Sequence, residues 1–339
     1  MQEIYEIIQT PRAGKENWDY AYHAGLVRAM QTKLLPLNVF ADMASAGSYR
    51  EAIECTAGSD YGFQPDEPIE RIYSILADAR NELKTFFKDM ASGSPIASLP
   101  EIEADMSNLR LAVRRFAAER PIGEDYSNAG TVPPEQFESI FESDDYSDLP
   151  AHFRQAAEES VLEYYATKDL RSIDYAIDRI EFHWHKKLAQ NAKLIYLSDI
   201  TAARIDLTNI GMVIRSKFAG SEEEPPFIAG GFVDIDKLKG AMFQSFDVFD
   251  QIFYSTDYEP MIVSSVDYLN SSSSFVRFEA LCEQHLQRCC DVADYIAAGL
   301  QPLIAFYYRK LIELRWLRIV ITAKKNGLSK QFISDRLGV

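Results

Sequence analysis

Apolar residues recur along most of this chain at intervals of three and four, the spacing that lays side chains on one stripe of an α-helix. The pattern predicts helices over residues 20–35, ending at Pro36, and over 38–56 with a break at Gly47 and Ser48. A long helix is expected over 68–90, with Pro68 in the opening position and Ile69, Ile72, Ile75, Leu76 and Leu83 in helical register. After a Ser, Gly and Pro linker at 92–100, the next helix runs over 101–120 and stops at Pro121. A short helix follows Pro133 and Pro134, then helices over 153–165 and 173–190 and one ending at Ala219. The remainder predicts 236–253, 275–298, 302–326 and a closing segment over 328–337, with Ser271 to Ser274 as a cap and boundary. No stretch sustains strict apolar–polar alternation, so strands are expected to be few and the fold class is all-α.

One amphipathic phrase is written three times. Residues 312–327 read IELRWLRIVITAKKNG, with Leu314, Leu317, Val320 and Ile321 on one side. Residues 104–119 read ADMSNLRLAVRRFAAE and residues 205–220 read IDLTNIGMVIRSKFAG. In register, an acid opens each copy (Asp105, Asp206, Glu313), and three residues on stands Asn108, Asn209 or Trp316. Leu109, Ile210 and Leu317 follow, then Val113, Ile214 and Ile321. The copies are 101 and 107 residues apart.

Amphipathic helices can align by accident, but the flanks repeat too. AGTVPPEQF from Ala129 matches GGFVDIDKL from Gly230 at the same offset of 101 residues. RSIDYAIDR from Arg171 loosely matches VRFEALCEQ around Arg277. Self-similarity at a fixed period marks repeated structural units. The expected division is 1–130 for the first repeat with an N-terminal segment, 131–231 for the second and 232–339 for the third, each a normal domain size. Asn108, Asn209 and Trp316 are expected in matching environments.

Composition narrows the partners. The 339 residues are 47% hydrophobic, ample for a large core, and carry 35 Lys and Arg against 51 Asp and Glu, a net charge of −16. So acidic a surface repels phosphate backbones and anionic lipid heads, which disfavours nucleic acid and membrane surfaces as partners. The charge is polarised. Residues 121–170 hold twelve acids against Arg154 and Lys168, whereas residues 301–339 hold eight basic residues against Glu313 and Asp335. Such an electrically polar body suits docking between two different partners. Cys55, Cys282, Cys289 and Cys290 show no CxxC spacing and read as reduced thiols, with Cys282 and Cys289 on one helix face and Cys290 turned away from it. The N-terminus lacks a signal-peptide pattern and no apolar run would span a bilayer, so a cytoplasmic protein without direct membrane insertion is expected.

No catalytic constellation emerges. There is no GxxxxGK[ST], GxGxxG or GxSxG, and Gly230–Gly231 reads as a turn. The Glu-x-x-His pairs of di-iron carboxylate bundles are missing. His183 and His185, two apart on a helix, point about 200° from each other and cannot share a metal by themselves; a partly buried histidine beside Trp184 is expected. Asp144 and Asp145 read as solvated loop acids. The expectation is a non-enzyme with no metal and no cofactor.

Two phrases carry a family resemblance. Tyr22, Gly25, Val27, Arg28, Ala29 and Met30 form one; Glu313, Arg315, Leu317, Arg318, Ile319, Lys324, Asn326, Gly327 and Leu328 form the other. With them the chain resembles, over essentially its whole length, the C subunits of the archaeal and bacterial vacuolar-type rotary ATPases, a family that includes the eukaryotic d subunits. Trp316 departs from it, standing where the family usually has Asn.

The resemblance implies a funnel of three pseudo-symmetric helical repeats. It would sit on the membrane rotor ring, receive the central stalk in its cavity, and pass torque between them for proton or sodium transport. It implies rotor-ring and central-stalk subunits as partners and a cytoplasmic place, peripheral to the membrane through the complex. Arg110, Arg114, Arg115, Arg215, Lys217, Arg318, Lys324 and Lys325 are then candidates to face the cavity and meet acidic stalk residues. The alternative for Arg110 and Arg318 is pairing with acids of their own repeat. A helical-repeat scaffold for unrelated partners shares the architecture, and a helical enzyme would need a pocket of convergent polar groups.

Overall fold

The computed structural model describes residues 10–338 except 124, 222, 247, 248, 250, 251 and 255. Among them every regular element is an α-helix or a short 3-10 turn, so the all-α expectation holds. The order is α1 (Ala21–Gln31), α2 (Leu37–Ser45), α3 (Tyr49–Glu54), α4 (Ile69–Met90), α5 (Leu99–Ala117), α6 (Phe137–Ser143), α7 (Ala151–Thr167) and α8 (Leu170–Asn191). Then come α9 (Ile195–Phe218), α10 (Ile235–Met242), α11 (Glu259–Ser272), α12 (Val276–Asp291), α13 (Gln301–Lys325) and α14 (Lys330–Leu337). The thrice-written phrase lies on α5, α9 and α13.

Local chemistry sets the boundaries. The break at Gly47–Ser48 is a reciprocal cap: the Ser48 hydroxyl accepts from the Glu51 amide at 3.2 Å while the Glu51 carboxylate accepts from the Gly47 amide at 2.8 Å. Asp169, Asp234 and Ser329 cap α8, α10 and α14 in the same side-chain-to-amide manner. Ser273 ends α11 with φ near +51°, within the predicted serine boundary. The helix expected over 275–298 is shorter. It yields to a 3-10 turn, Val292–Tyr295, because the backbone beyond it is engaged elsewhere. The Ala298 carbonyl accepts from the Asn17 amide at 3.0 Å, and the Ala297 amide donates to Glu16 at 2.7 Å. The helix expected over 236–253 ends sooner, at Met242 with Phe243 as its C-cap, and residues 247, 248, 250 and 251 of that span lie outside the described residues.

The chain forms two compact units, Lys84–Thr201 and a second that joins Met1–Leu83 to Ala202–Val339. In the first, α5 packs on α7 and α8. Its core includes Leu109, Val113 and a run of rings, with Tyr126 stacked on Phe137 at 4.5 Å and Phe137 edge-on to Phe153 at 5.6 Å. The second unit holds two apolar clusters. In one, Ile210, Val213 and Ile214 of α9 pack with Leu238, Phe253, Tyr258, Ile262 and Phe278. In the other, Leu314, Leu317, Val320 and Ile321 of α13 pack with Phe40, Met43, Ile53 and Ile72, residues from the opposite end of the sequence, and with Ile333 and Leu337. Each buried Leu, Ile or Phe contributes roughly 1.5–3 kcal/mol, so the predicted apolar stripe is what docks each copy.

Candidate functional site

Each copy of the phrase places a carboxylate inside the protein, and the first two use it identically. Asp105 is fully buried and accepts from the Thr131 amide at 2.8 Å, the Thr131 hydroxyl at 2.5 Å and the Val132 amide at 3.4 Å. Asp206, also fully buried, accepts from the Phe232 and Val233 amides, both at 3.0 Å. The donors stand 26 and 27 residues beyond the acid in both copies. They belong to the two flanking segments, AGTVPPEQF and GGFVDIDKL, that match in sequence.

Each carboxylate takes one more donor from further along the chain, on α7 for Asp105 and at the start of α11 for Asp206. His152 Nε2 lies 2.6 Å from Asp105, and the Tyr258 hydroxyl donates to Asp206 at 3.0 Å. Burial and the Asp206 charge push the Tyr258 phenol well above its ordinary pKa, so it stays a donor. Gly130 and Gly231 make this approach possible: a Cβ there would lie 2.3 Å from the Asp105 oxygen and 2.0 Å from that of Asp206. Asn108 and Asn209 complete the lock. Their side-chain amides exchange two hydrogen bonds with the backbone 19 residues on, Asn108 with Ser127 at 2.8 and 2.9 Å, Asn209 with Ile228 at 2.8 and 2.9 Å.

The third copy keeps the acid and changes where its partners come from. Glu313, 4% exposed, accepts from the Leu35 amide at 2.5 Å, from the Tyr61 hydroxyl and from Lys310 at 2.5 Å. An amide and a tyrosine hydroxyl again hold the carboxylate, but here the N-terminal part of the chain supplies them. The spacing from Leu35 to Tyr61 equals that from Phe232 to Tyr258, 26 residues. A linear partition puts Leu35 and Tyr61 in the first repeat, yet they serve the acid of the third. Trp316 does not reproduce the asparagine bonds. Its indole N–H donates to Glu283 at 2.6 Å and its ring meets Phe40 edge-on at 5.2 Å. Nineteen residues beyond Trp316 the chain is inside α14, which leaves no loop of the kind that Asn108 and Asn209 tie down.

Two of the candidate basic residues turn out to be equivalent as well. Lys217 donates to the carbonyls of Ala241 at 3.0 Å and of Gln244, at the C-terminal end of α10. Lys324, 107 residues on, donates to the Ala44 and Ala46 carbonyls at 2.8 and 2.6 Å, at the C-terminal end of α2. Each ammonium satisfies carbonyls that a helix end leaves without partners and sits at the negative end of the helix dipole. Burial pulls the Lys217 pKa below its ordinary value. In the first copy the corresponding position is Phe116, which packs on Phe141 of α6 at 5.5 Å.

The arginines divide. Arg110 reaches Asp178 at 2.8 Å, Asp174 at 3.6 Å and Glu181 at 3.8 Å, all on α8. Burial opposes its charge, but the three carboxylates outweigh that and hold its pKa above the usual value. Arg114 also binds Asp174, and Arg115 grips Asp125 at 2.5 and 2.8 Å and the Ile122 carbonyl at 2.6 Å. Arg215 lies 3.7 Å from Glu279 and over the Phe275 ring. Arg318 and Lys325 are exposed, over the rings of Tyr73 and Tyr49. Of the two readings kept open, Arg110 therefore pairs within its own unit, and Arg318 lies against a tyrosine.

The acid ladder Asp174, Asp178 and Glu181 had a readable signal, since spacings of four and three share one helix face. His152 and Tyr258 had none. Among the other residues singled out, His183 is exposed beside Trp184, whereas His185 is fully buried. None of the four cysteines is in a disulfide. Cys290 is buried as deeply as Cys289, and burial pushes the Cys289 thiol up. Among the described residues no helix is long and apolar enough to cross a membrane.

These features define an all-helical protein in which one acid-bearing helix recurs, each acid fastening a later or distant stretch of backbone. The chain belongs to the ATP synthase (C/AC39) subunit family, whose model matches residues 24–336. It is 23% identical over 323 residues to the C subunit of the V-type sodium ATPase of Enterococcus hirae, covering 92% of this chain and 96% of that protein. It is 22% identical over 356 residues to the C subunit of the A-type ATP synthase of Methanosphaera stadtmanae, covering 95% and 88%. The corresponding protein of a Desulfurococcus species is 21% identical over 333 residues, covering 94% and 90%.

Proposed function

We propose that this chain is the C subunit of a V/A-type rotary ATPase and serves there as a non-catalytic adaptor. It links the soluble central stalk to the membrane rotor ring and carries torque between them, in support of proton or sodium transport. The observation that carries this reading is the family match across residues 24–336, joined by relatives aligned along nearly their whole length and named as C subunits. The three acid-bearing helices support a body built from three helical repeats.

The locks supply what such a role requires. A part that transmits torque must resist shear, and close-packed helices joined by buried charge-assisted hydrogen bonds deform little. The bonds from Leu35 and Tyr61 to Glu313 tie the last signature helix to the helices of the N-terminal region, so load on one is shared by the other. The basic residues of the signature helices meet acidic stalk residues, with the exposed heads of Arg318 and Lys325 foremost. Arg110, Arg114, Arg115, Arg215, Lys217 and Lys324 are also engaged by groups of this chain. Charge attraction of this kind governs association rate and register.

The test is purification of the tagged chain from gently solubilised membranes. Rotor-ring and central-stalk subunits are expected to come with it, and Arg318→Glu with Lys325→Glu is expected to lower the yield of stalk subunits. Recovery with unrelated proteins alone would identify a general helical scaffold and defeat the proposal.

A further inference from the structure

Among the described residues one group brings metal-binding atoms together: Glu103 of α5 with Glu181 and His185 of α8, whose ligand atoms all lie within 4.8 Å of one another. We infer that these three side chains form a binding site for a first-row divalent cation of the zinc class, bridging α5 and α8. This inference is independent of the role proposed above.

Three observations converge on it. Glu181 and His185 are four residues apart on α8, so their side chains leave the same face of the helix. That face meets α5, because α5 and α8 pack directly and Arg110 of α5 reaches Glu181 at 3.8 Å. The group is also enclosed: His185 is fully buried, Glu181 is 7% exposed and Glu103 is half-buried.

The donor set suits the ion. Two carboxylates balance a divalent charge and a neutral imidazole completes a three-ligand set, leaving room for water. Zinc holds its ligands at about 2.0–2.2 Å, which puts donor atoms roughly 3–4 Å apart. The present separations, all within 4.8 Å, lie close to that range. With Glu181 turned to an ion, Arg110 keeps Asp178 at 2.8 Å and Asp174 at 3.6 Å as partners. The bound ion would cross-brace the first signature helix to its neighbour, and its binding free energy would add to the stability of the folded state.

The experiment uses the full chain stripped of metal with a chelator. Calorimetric titration with Zn²⁺ is expected to show one ion per chain with a micromolar or tighter Kd, and saturating Zn²⁺ to raise the thermal midpoint by several degrees. Co²⁺ is expected to give the visible absorption of a low-coordinate nitrogen–oxygen site. Glu103→Gln and His185→Gln each weaken binding at least tenfold and remove the Co²⁺ bands, while His183→Gln leaves both unchanged. Should His185→Gln fail to fold, the half-buried Glu103→Gln and the wild-type spectrum still decide the matter. Absence of saturable one-to-one binding by the wild type, or wild-type affinity in Glu103→Gln, overturns the inference.

Discussion

The Tyr61 hydroxyl donates to the Glu313 carboxylate across 252 residues of sequence, and this bond joins the N-terminal helices to the C-terminal signature helix. It is the counterpart of the bond from Tyr258 to Asp206, which spans only 52 residues. The same buried acid is thus satisfied once by the chain that follows it and once by chain that precedes it by most of the molecule.

Tyr61→Phe removes one donor from a buried carboxylate that keeps the Leu35 amide and Lys310. A loss of about 1–3 kcal/mol is expected in urea denaturation. Glu313→Ala is expected to cost more, because it leaves the Leu35 amide, the Tyr61 hydroxyl and Lys310 without their acceptor.

Gly130→Ala and Gly231→Ala each push a methyl group into an aspartate oxygen at 2.3 and 2.0 Å. The carboxylate must move off its amides or the loop must shift, and about 2–4 kcal/mol of stability is expected to go in each case. Gly25→Ala is the contrast. It lies inside α1 with open space where its Cβ would be, so about 0.5–1 kcal/mol of stabilisation is expected by the same assay.

Lys324 and Lys325 are adjacent and do different work. Lys324→Met removes the donor to two carbonyls at the end of α2 and is expected to cost about 1.5–3 kcal/mol. Lys325→Met is exposed and is expected to change stability by less than about 0.5 kcal/mol. A charge reversal aimed at partner binding is therefore informative at Lys325, whereas at Lys324 it also disturbs the fold. Lys217→Met is expected to behave like Lys324→Met, through α10.

The legible part of this protein was its periodicity. The stripes of α5, α9 and α13 and the matching segments at Ala129 and Gly230 could be read directly, because helical spacing and a constant offset leave a trace in one dimension. That Asp105 and Asp206 are what fasten those segments could not be read, since a buried aspartate and a solvated one look alike in sequence. Nor could the service of Leu35 and Tyr61 to Glu313, which depends on two ends of the chain meeting. The candidate basic residues were chosen by charge and by their place on or after the signature helices. Lys217 and Lys324 show why that falls short: a lysine capping a helix end and one facing solvent have the same letter. Trp316 marked a real departure: it bonds Glu283 and packs on Phe40 where Asn108 and Asn209 tie down a loop.

His285 gives the pH dependence a definite sign. Burial first, and Arg288 second, lower its pKa from 6.5 to about 4. Arg288 donates to Nδ1 at 3.3 Å, which holds the ring in its neutral form beside Tyr258 at 4.9 Å. As pH falls from 6.5 towards 4 the unfolded chain takes up this proton first, so the folded state loses stability through that window, by up to about 3 kcal/mol. His285→Gln is expected to flatten this part of the stability–pH curve in urea titrations between pH 7 and 4.

The central claim, an adaptor that couples the stalk to the ring, is tested most directly in membranes depleted of this chain. ATP hydrolysis and ATP-driven ion uptake are measured side by side, before and after adding back the purified protein. Hydrolysis is expected to persist without ion uptake in its absence, with uptake restored by the wild type and poorly restored by the combined Arg318→Glu and Lys325→Glu variant. Full ion uptake in depleted membranes would contradict the account.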